Sequence, residues 1–244
     1  MSLPTPSRKS TLMIPSFFSI SHLNETARQK LSDYEIRWHY SQQYFAELLG
    51  EAVLDDIITV ARDPLIKKIL IRQKQDEHQH AVLLKKITEN IGLDERAGAF
   101  AREYTSFVKR NNSFPTKVFS FQVLVESVAH ANIAWRLTLP EFQDFSDSDK
   151  KILSDEVRHI NLAKYYARQF GRDEFMEELN PTVKREIESE LLACLRSVNG
   201  KGLFKCASKD FGLSMTSRRP SDLDMLIRRT LKRNVSEFER QIAS

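Results

Sequence analysis

Apolar residues recur at spacings of three and four along most of the chain, the period of amphipathic α-helices. The pattern predicts a first long helix over residues 32–62, with Ser32 as N-cap and Glu35 three residues on. Asp63-Pro64 stops that helix and starts the next, Asp as the cap and Pro at the first helical position. The second helix carries Ile66, Ile69, Gln73, Glu77, His80 and Leu84 on one stripe and ends near Gly92. Residues 94–110 read as a connecting helix and 111–115 as a loop. A third helix over 116–137 presents Phe119, Gln122, Glu126, Ala129, His130 and Ile133, and a turn follows at 140–147. Ser148 can cap a fourth helix bearing Ile152, Glu156, His159, Ala163 and Tyr166. Beyond Gly171, helices are expected over 181–198 and 221–243, separated by breaks at Gly200 and 217–220.

Composition agrees with an all-α fold. Hydrophobic residues make up 41%, enough for one sizeable core, while 7 Gly and 8 Pro are too few for a turn-rich β architecture. No apolar run approaches the roughly 20 residues of a membrane helix. Arg8 and Lys9 followed by residues 12–20 faintly resemble a signal peptide, but Pro15 and Ser16 break the run, and the segment reads as a lid or docking arm. The organisation expected is an arm over 1–30, a helical bundle over 31–171 and a helical extension over 172–244. Two cysteines, Cys194 and Cys206, make no disulfide framework, so a reducing cytoplasm is expected. From Pro181 onward there are 13 Lys/Arg against 8 Asp/Glu, an excess of five in a chain of net charge +4. That basic segment is either a solvated face or a surface for an anionic substrate or acidic carrier protein, with nucleic acid a weaker expectation.

Two Glu-x-x-His elements carry the candidate chemistry, Glu77–His80 and Glu156–His159. Three residues apart on a helix, the two side chains of each pair share a face and can bind one metal together. One such pair is weak evidence; here both fall on core-facing stripes. Each follows a helix with a glutamate among apolar neighbours, Glu51 and Glu126. At a rise of about 1.5 Å per residue, the chain travels some 18–20 Å from Glu51 to the Arg62–Pro64 turn and a similar distance back to Glu77, which sets the two level. Glu126 and Glu156 repeat the arrangement around the Pro140 turn. Glu47, one turn before Glu51, shares its face and is the alternative ligand. Four carboxylates buried together are prohibitive unless cations neutralise them, and two divalent ions do so fully. Oxygen-rich donors with a little imidazole favour Fe or Mn.

This layout resembles the ferritin-like di-iron carboxylate proteins, with one Glu from each of two helices and Glu-x-x-His from the other two. The resemblance implies a ferritin-like four-helix bundle with Glu51, Glu77, His80, Glu126, Glu156 and His159 as ligands of two Fe ions, or of a Mn/Fe pair. It also implies Glu77 and Glu126 as bridging carboxylates. Asp76 and Asp155 match aspartates that hydrogen-bond a ligating histidine of the opposite helix, His159 and His80 respectively. Residues 63–68 leading to Glu77 and His80 look like p-aminobenzoate (arylamine) N-oxygenases, and residues 123–129 with 154–159 look like aldehyde-deformylating oxygenases. The likeness covers residues 34–170. The arylamine N-oxygenases carry an extra ligating histidine one turn before the last Glu-x-x-His, where this chain has Ile152. His130 instead stands one turn after Glu126: a seventh ligand, a donor to a ligand, or a core histidine.

The function expected is a non-haem di-iron oxygenase that activates O2 to oxidise a small apolar or aromatic amine, an aldehyde or a carrier-bound acyl group. Electrons would come from an external reductase or ferredoxin. A ferritin- or rubrerythrin-like ferroxidase or peroxide scavenger is the alternative, and a helical partner protein stabilised by metal is a third. A homodimer is compatible with such a bundle, and no membrane role is expected.

Overall fold

The computed structural model describes residues 25–195, 203–211 and 222–243. The expected N-terminal arm, up to residue 24, lies outside them, as do the breaks at Gly200 and 217–220. Every regular element among the described residues is helical: α1 (Glu25–Val60), α2 (Pro64–Ile91), α3 (Ala99–Arg110), α4 (Phe114–Val118), α5 (Glu126–Arg136), α6 (Ser146–Phe170), α7 (Arg172–Glu178), α8 (Pro181–Leu195), α9 (Leu203–Phe211) and α10 (Asp222–Ala243). No helix among them is long and apolar enough to cross a membrane.

α1 and α2 are joined by three residues and pack extensively on each other, an antiparallel helical hairpin. The link is built as its residues dictate: the Asp63 carboxylate accepts from the backbone N–H of Leu65 at 2.6 Å and of Ile66 at 3.0 Å, and Pro64 occupies the first turn. α5 and α6 form the second hairpin, joined by a 3₁₀ turn at Pro140–Phe145, and α6 also meets α2. α10 covers α5 and α6, with Phe238 packed on Phe119 and Phe175 at ring separations of 6.0 and 6.2 Å. Trp38, Leu54, Leu70, Leu84, Phe119, Ile133, Ile152 and Tyr166 fill the space between the hairpins. Each such burial is worth roughly 1.5–3 kcal/mol of transfer free energy.

Several boundaries differ from the periodic reading. α1 begins at Glu25, and Ser32 is buried inside it, so Ser32 caps nothing. Ser148 likewise lies within α6, which starts at Ser146. The third long helix is three pieces: α4, a π-helical segment over Phe119–Val125, and α5. A π segment accommodates an extra residue in the turn and swings the following side chains around the axis. Here the residue that follows is Glu126. α7 and α9, of 7 and 9 residues, were not among the expected helices.

Candidate metal centre

Four helices deliver six ionisable side chains to one buried place: Glu47 from α1, Glu77 and His80 from α2, Glu126 from α5, and Glu156 and His159 from α6. All are at most 4% exposed. Their donor atoms fall into two overlapping sets, each with its atoms within 4.8 Å of one another: Glu47, Glu77, His80 and Glu156 in one, Glu77, Glu126 and His159 in the other. Glu77 belongs to both. His80 turns Nδ1 to Glu47 Oε2 at 3.4 Å and to Glu156 Oε1 at 3.8 Å. His159 turns its Nδ1 to Glu77 Oε1 at 3.2 Å and Glu126 Oε1 at 3.6 Å. The imidazoles themselves stand 6.3 Å apart.

Five of the six residues expected from the sequence therefore converge, and Glu51 is the one that does not. It is half-buried at the edge and meets the exposed His78, Oε1 to Nδ1 at 3.1 Å. Glu47 stands in its place. The reason lies in which residue of α2 the α1 carboxylate must reach. Hairpin arithmetic levelled it with Glu77, but the residue opposite Glu77 is Gly50, whose Cβ direction ends 3.7 Å from Glu77 Oε2. The α1 carboxylate pairs instead with His80, one turn further from the link. His130 is not in the cluster; it lines a cleft against α10.

The histidines are held from behind. His80 Nε2 lies within hydrogen-bond reach of Asp155 Oδ2 on α6 at 3.0 Å, while His159 Nε2 faces Asp76 Oδ2 on α2 at 3.6 Å, an ion-pair contact without a hydrogen bond. Arg158 ties the two aspartates together at 2.8 Å each. Two amides hold the carboxylates: Gln73 Nε2 donates to Glu126 Oε1 at 2.9 Å and to Glu77 Oε1 at 3.4 Å, and Gln122 Nε2 donates to Gln73 Oε1 at 2.7 Å. On the other side Gln43 Nε2 donates to Glu47 Oε1 at 3.1 Å. Arg136 donates to the Gln43 carbonyl oxygen, which leaves only the amide NH2 to face Glu47. Arg136 is fully buried and paired with Asp149 at 2.7 Å, with Tyr40 donating to the same carboxylate at 3.1 Å. Gln73 and Gln122 stood on the periodic stripes as polar exceptions; Gln43 and the Arg136–Asp149 pair had no local signal, since the contacts between the pair and α1 join residues about a hundred positions apart.

The electrostatics are those of carboxylates short of positive charge. Burial and the neighbouring carboxylates push Glu156 well above the usual range, and burial pushes Glu47 up to about 8. Burial also opposes ionisation of Glu77, but hydrogen bonding and attraction from His159 outweigh it and draw it down to about 2. For both imidazoles burial disfavours the charge, yet the surrounding acids raise His80 to about 9, and Asp76, Glu126 and Glu77 raise His159 to about 12. Both Glu156 oxygens, His80 Nδ1 and His159 Nδ1 are buried without a hydrogen-bond partner. Orphaned atoms on three such groups, with His80 turned to Glu156 and His159 to Glu77 and Glu126, are what a bound cation would satisfy. The cluster could hold a metal ion.

No family model matches this chain, and no curated protein or solved structure does either.

Proposed function

We propose that the cluster holds two iron ions, with a Mn/Fe pair as the variant, in a ferritin-like four-helix bundle, and that the protein is a non-haem di-iron oxygenase acting on a small organic substrate. The observation that carries the reading is the two overlapping donor sets hinged on Glu77, with orphaned Glu156 oxygens and His80 Nδ1 in one and an orphaned His159 Nδ1 in the other. Four carboxylates and two neutral imidazoles balance two divalent ions in charge, and the oxygen-rich donors suit iron or manganese. Glu47 and His80 would serve one ion, Glu126 and His159 the other, with Glu77 available to both and Glu156 beside them. Bound iron would supply the binding and reduction of O2, with electrons from an external reductase or ferredoxin.

The chain's own residues have definable tasks. Asp155 holds His80, and Asp76 faces His159 as its charge partner, with both Nδ1 atoms turned inward. Gln73 fixes Glu126 and Glu77, and the Arg136-anchored Gln43 fixes Glu47. Gly50 stands against Glu77 and Phe121, and its missing side chain leaves the flank of the carboxylate uncrowded. The surrounding core of Leu54, Ile57, Leu70 and Tyr166 excludes water, which strengthens every charge interaction inside.

The test is anaerobic loading with Fe(II) followed by O2. An oxygenase oxidises two Fe(II) per chain and stops, and with an electron donor it converts a member of a panel of amines, aldehydes and carrier-bound acyl groups, read by mass spectrometry. Continued oxidation of many irons per chain would mean storage instead. Failure to take up iron removes both readings.

A further inference from the structure

We propose that the cleft where α10 meets α5 and α6 is a second ligand site, and that it takes a small organic anion: a carboxylate or phosphate headgroup on an apolar body. The cleft has a volume of about 240 Å³, and none of the six cluster residues lines it. It exceeds the ~150 Å³ in which an engineered apolar cavity accommodates benzene.

Charge sets the ligand's sign. Lys164 of α6 and Arg233 of α10 reach the cleft from two different helices, and neither pairs with a carboxylate among the described residues. Lys164 donates only to Asn161 Oδ1 at 3.2 Å, and Arg233 Nε to Asn234 Oδ1 at 3.2 Å. The one acid in the wall, Glu237, accepts from Gln241 Nε2 at 2.8 Å. Two cations converging on one concave surface leave a positive potential that an anion satisfies.

His130 adds a directional group. Its ring sits in the cleft wall with Nδ1 buried and without a partner. Burial and the nearby Arg233 push its pKa below the ordinary value, so the ring is neutral at pH 7 and offers one N–H or one lone pair instead of a third charge. A buried nitrogen without a partner is costly unless a ligand or water meets it. Val157, Ile160 and Phe238 complete the wall with apolar surface, room for a hydrophobic body behind the headgroup. The floor is held rigid: Asn234 Nδ2 donates to Ser127 Oγ at 2.8 Å, and Arg168 caps the end of α10 through the Gln241 carbonyl at 3.1 Å.

The experiment titrates the full chain calorimetrically with hexanoate and, separately, with inorganic phosphate. Saturable binding of hexanoate is expected, weakened about tenfold or more by Arg233→Ala and by Lys164→Ala, as loss of a charge-assisted hydrogen bond implies. His130→Phe, which removes the nitrogen, should weaken it as well. Arg228→Ala, exposed on the same helix outside the cleft, should bind as the unsubstituted chain does. Phosphate binding with the same dependence on substitution, and no hexanoate binding, assigns the headgroup to a phosphate ester. The proposal is overturned if neither probe saturates, or if Arg228→Ala weakens binding as much as Arg233→Ala, which would mean diffuse attraction to a basic face.

Discussion

Glu47 and Glu51 stand one turn apart on α1 and make opposite predictions. Glu47 is buried against His80, and Glu51 is at the edge against an exposed histidine. Glu47→Ala should cost the chain one bound divalent ion, whereas Glu51→Ala should leave the metal content unchanged, measured by elemental analysis after equilibrium dialysis. Loss of metal on Glu51→Ala alone would reverse the assignment. A second residue prediction concerns pH. His39 is buried against Trp135 and Phe142, and burial, with Arg136 nearby, lowers its pKa to about 3. In the unfolded chain the ring takes up a proton as pH falls through ~6.5, and in the folded one it resists until about 3. The stability it contributes is therefore present above pH ~6.5 and drains away between ~6.5 and ~3, by at most about 5 kcal/mol. His39→Leu should flatten that acid limb in urea denaturation; an unchanged slope would refute the account. At this scale the sequence was legible where one residue type at one spacing implies chemistry, as in Glu77–His80 and Glu156–His159. It was ambiguous where two like residues share a face, since only the height of the partner decides between them.

The four ligand-bearing helices are held in relative position by a few buried polar ties. Arg136 of α5 pairs with Asp149 of α6, donates to Gln43 of α1, and lies 4.8 Å over the ring of Tyr40. Breaking a buried pair by removing one partner leaves an uncompensated charge, typically worth 3–5 kcal/mol. Arg136→Ala should thus destabilise the chain by about 3–5 kcal/mol in urea denaturation, and Asp149→Leu alone by a similar amount. The double replacement Arg136→Met with Asp149→Leu should recover a large part of that loss. If each single change costs under about 1 kcal/mol, the pair is not what aligns α1, α5 and α6. Elements were legible where the punctuation is chemical, as at Asp63-Pro64 and Gly92. They were misjudged at Ser32, where a capping residue type is buried inside a helix and packing overrides the local preference, and by two residues at Ser148, which lies in the first turn of α6. The π segment before Glu126 has no compositional marker.

Across the whole molecule, two helical hairpins bury four carboxylates, two histidines and the amides that hold them, with α10 laid over the second hairpin. Such a core could hold cations. The surrounding acids drive both imidazoles towards their charged form, and a bound cation would take over that role. A ligand that binds only the folded state adds RT ln(1 + [L]/Kd), so metal loading should raise the thermal midpoint and a chelator should lower it. All-helical architecture and the placement of five cluster residues were readable from period and spacing. The polar frame behind them was not, because Gln43, Arg136 and Asp149 meet only through tertiary folding. The most direct test of the account is the number of Fe(II) ions bound per chain under anaerobic equilibrium dialysis. The account predicts two, falling to one or none with Glu77→Ala, whose carboxylate belongs to both donor sets. No iron bound, or two ions still bound by that variant, would contradict it.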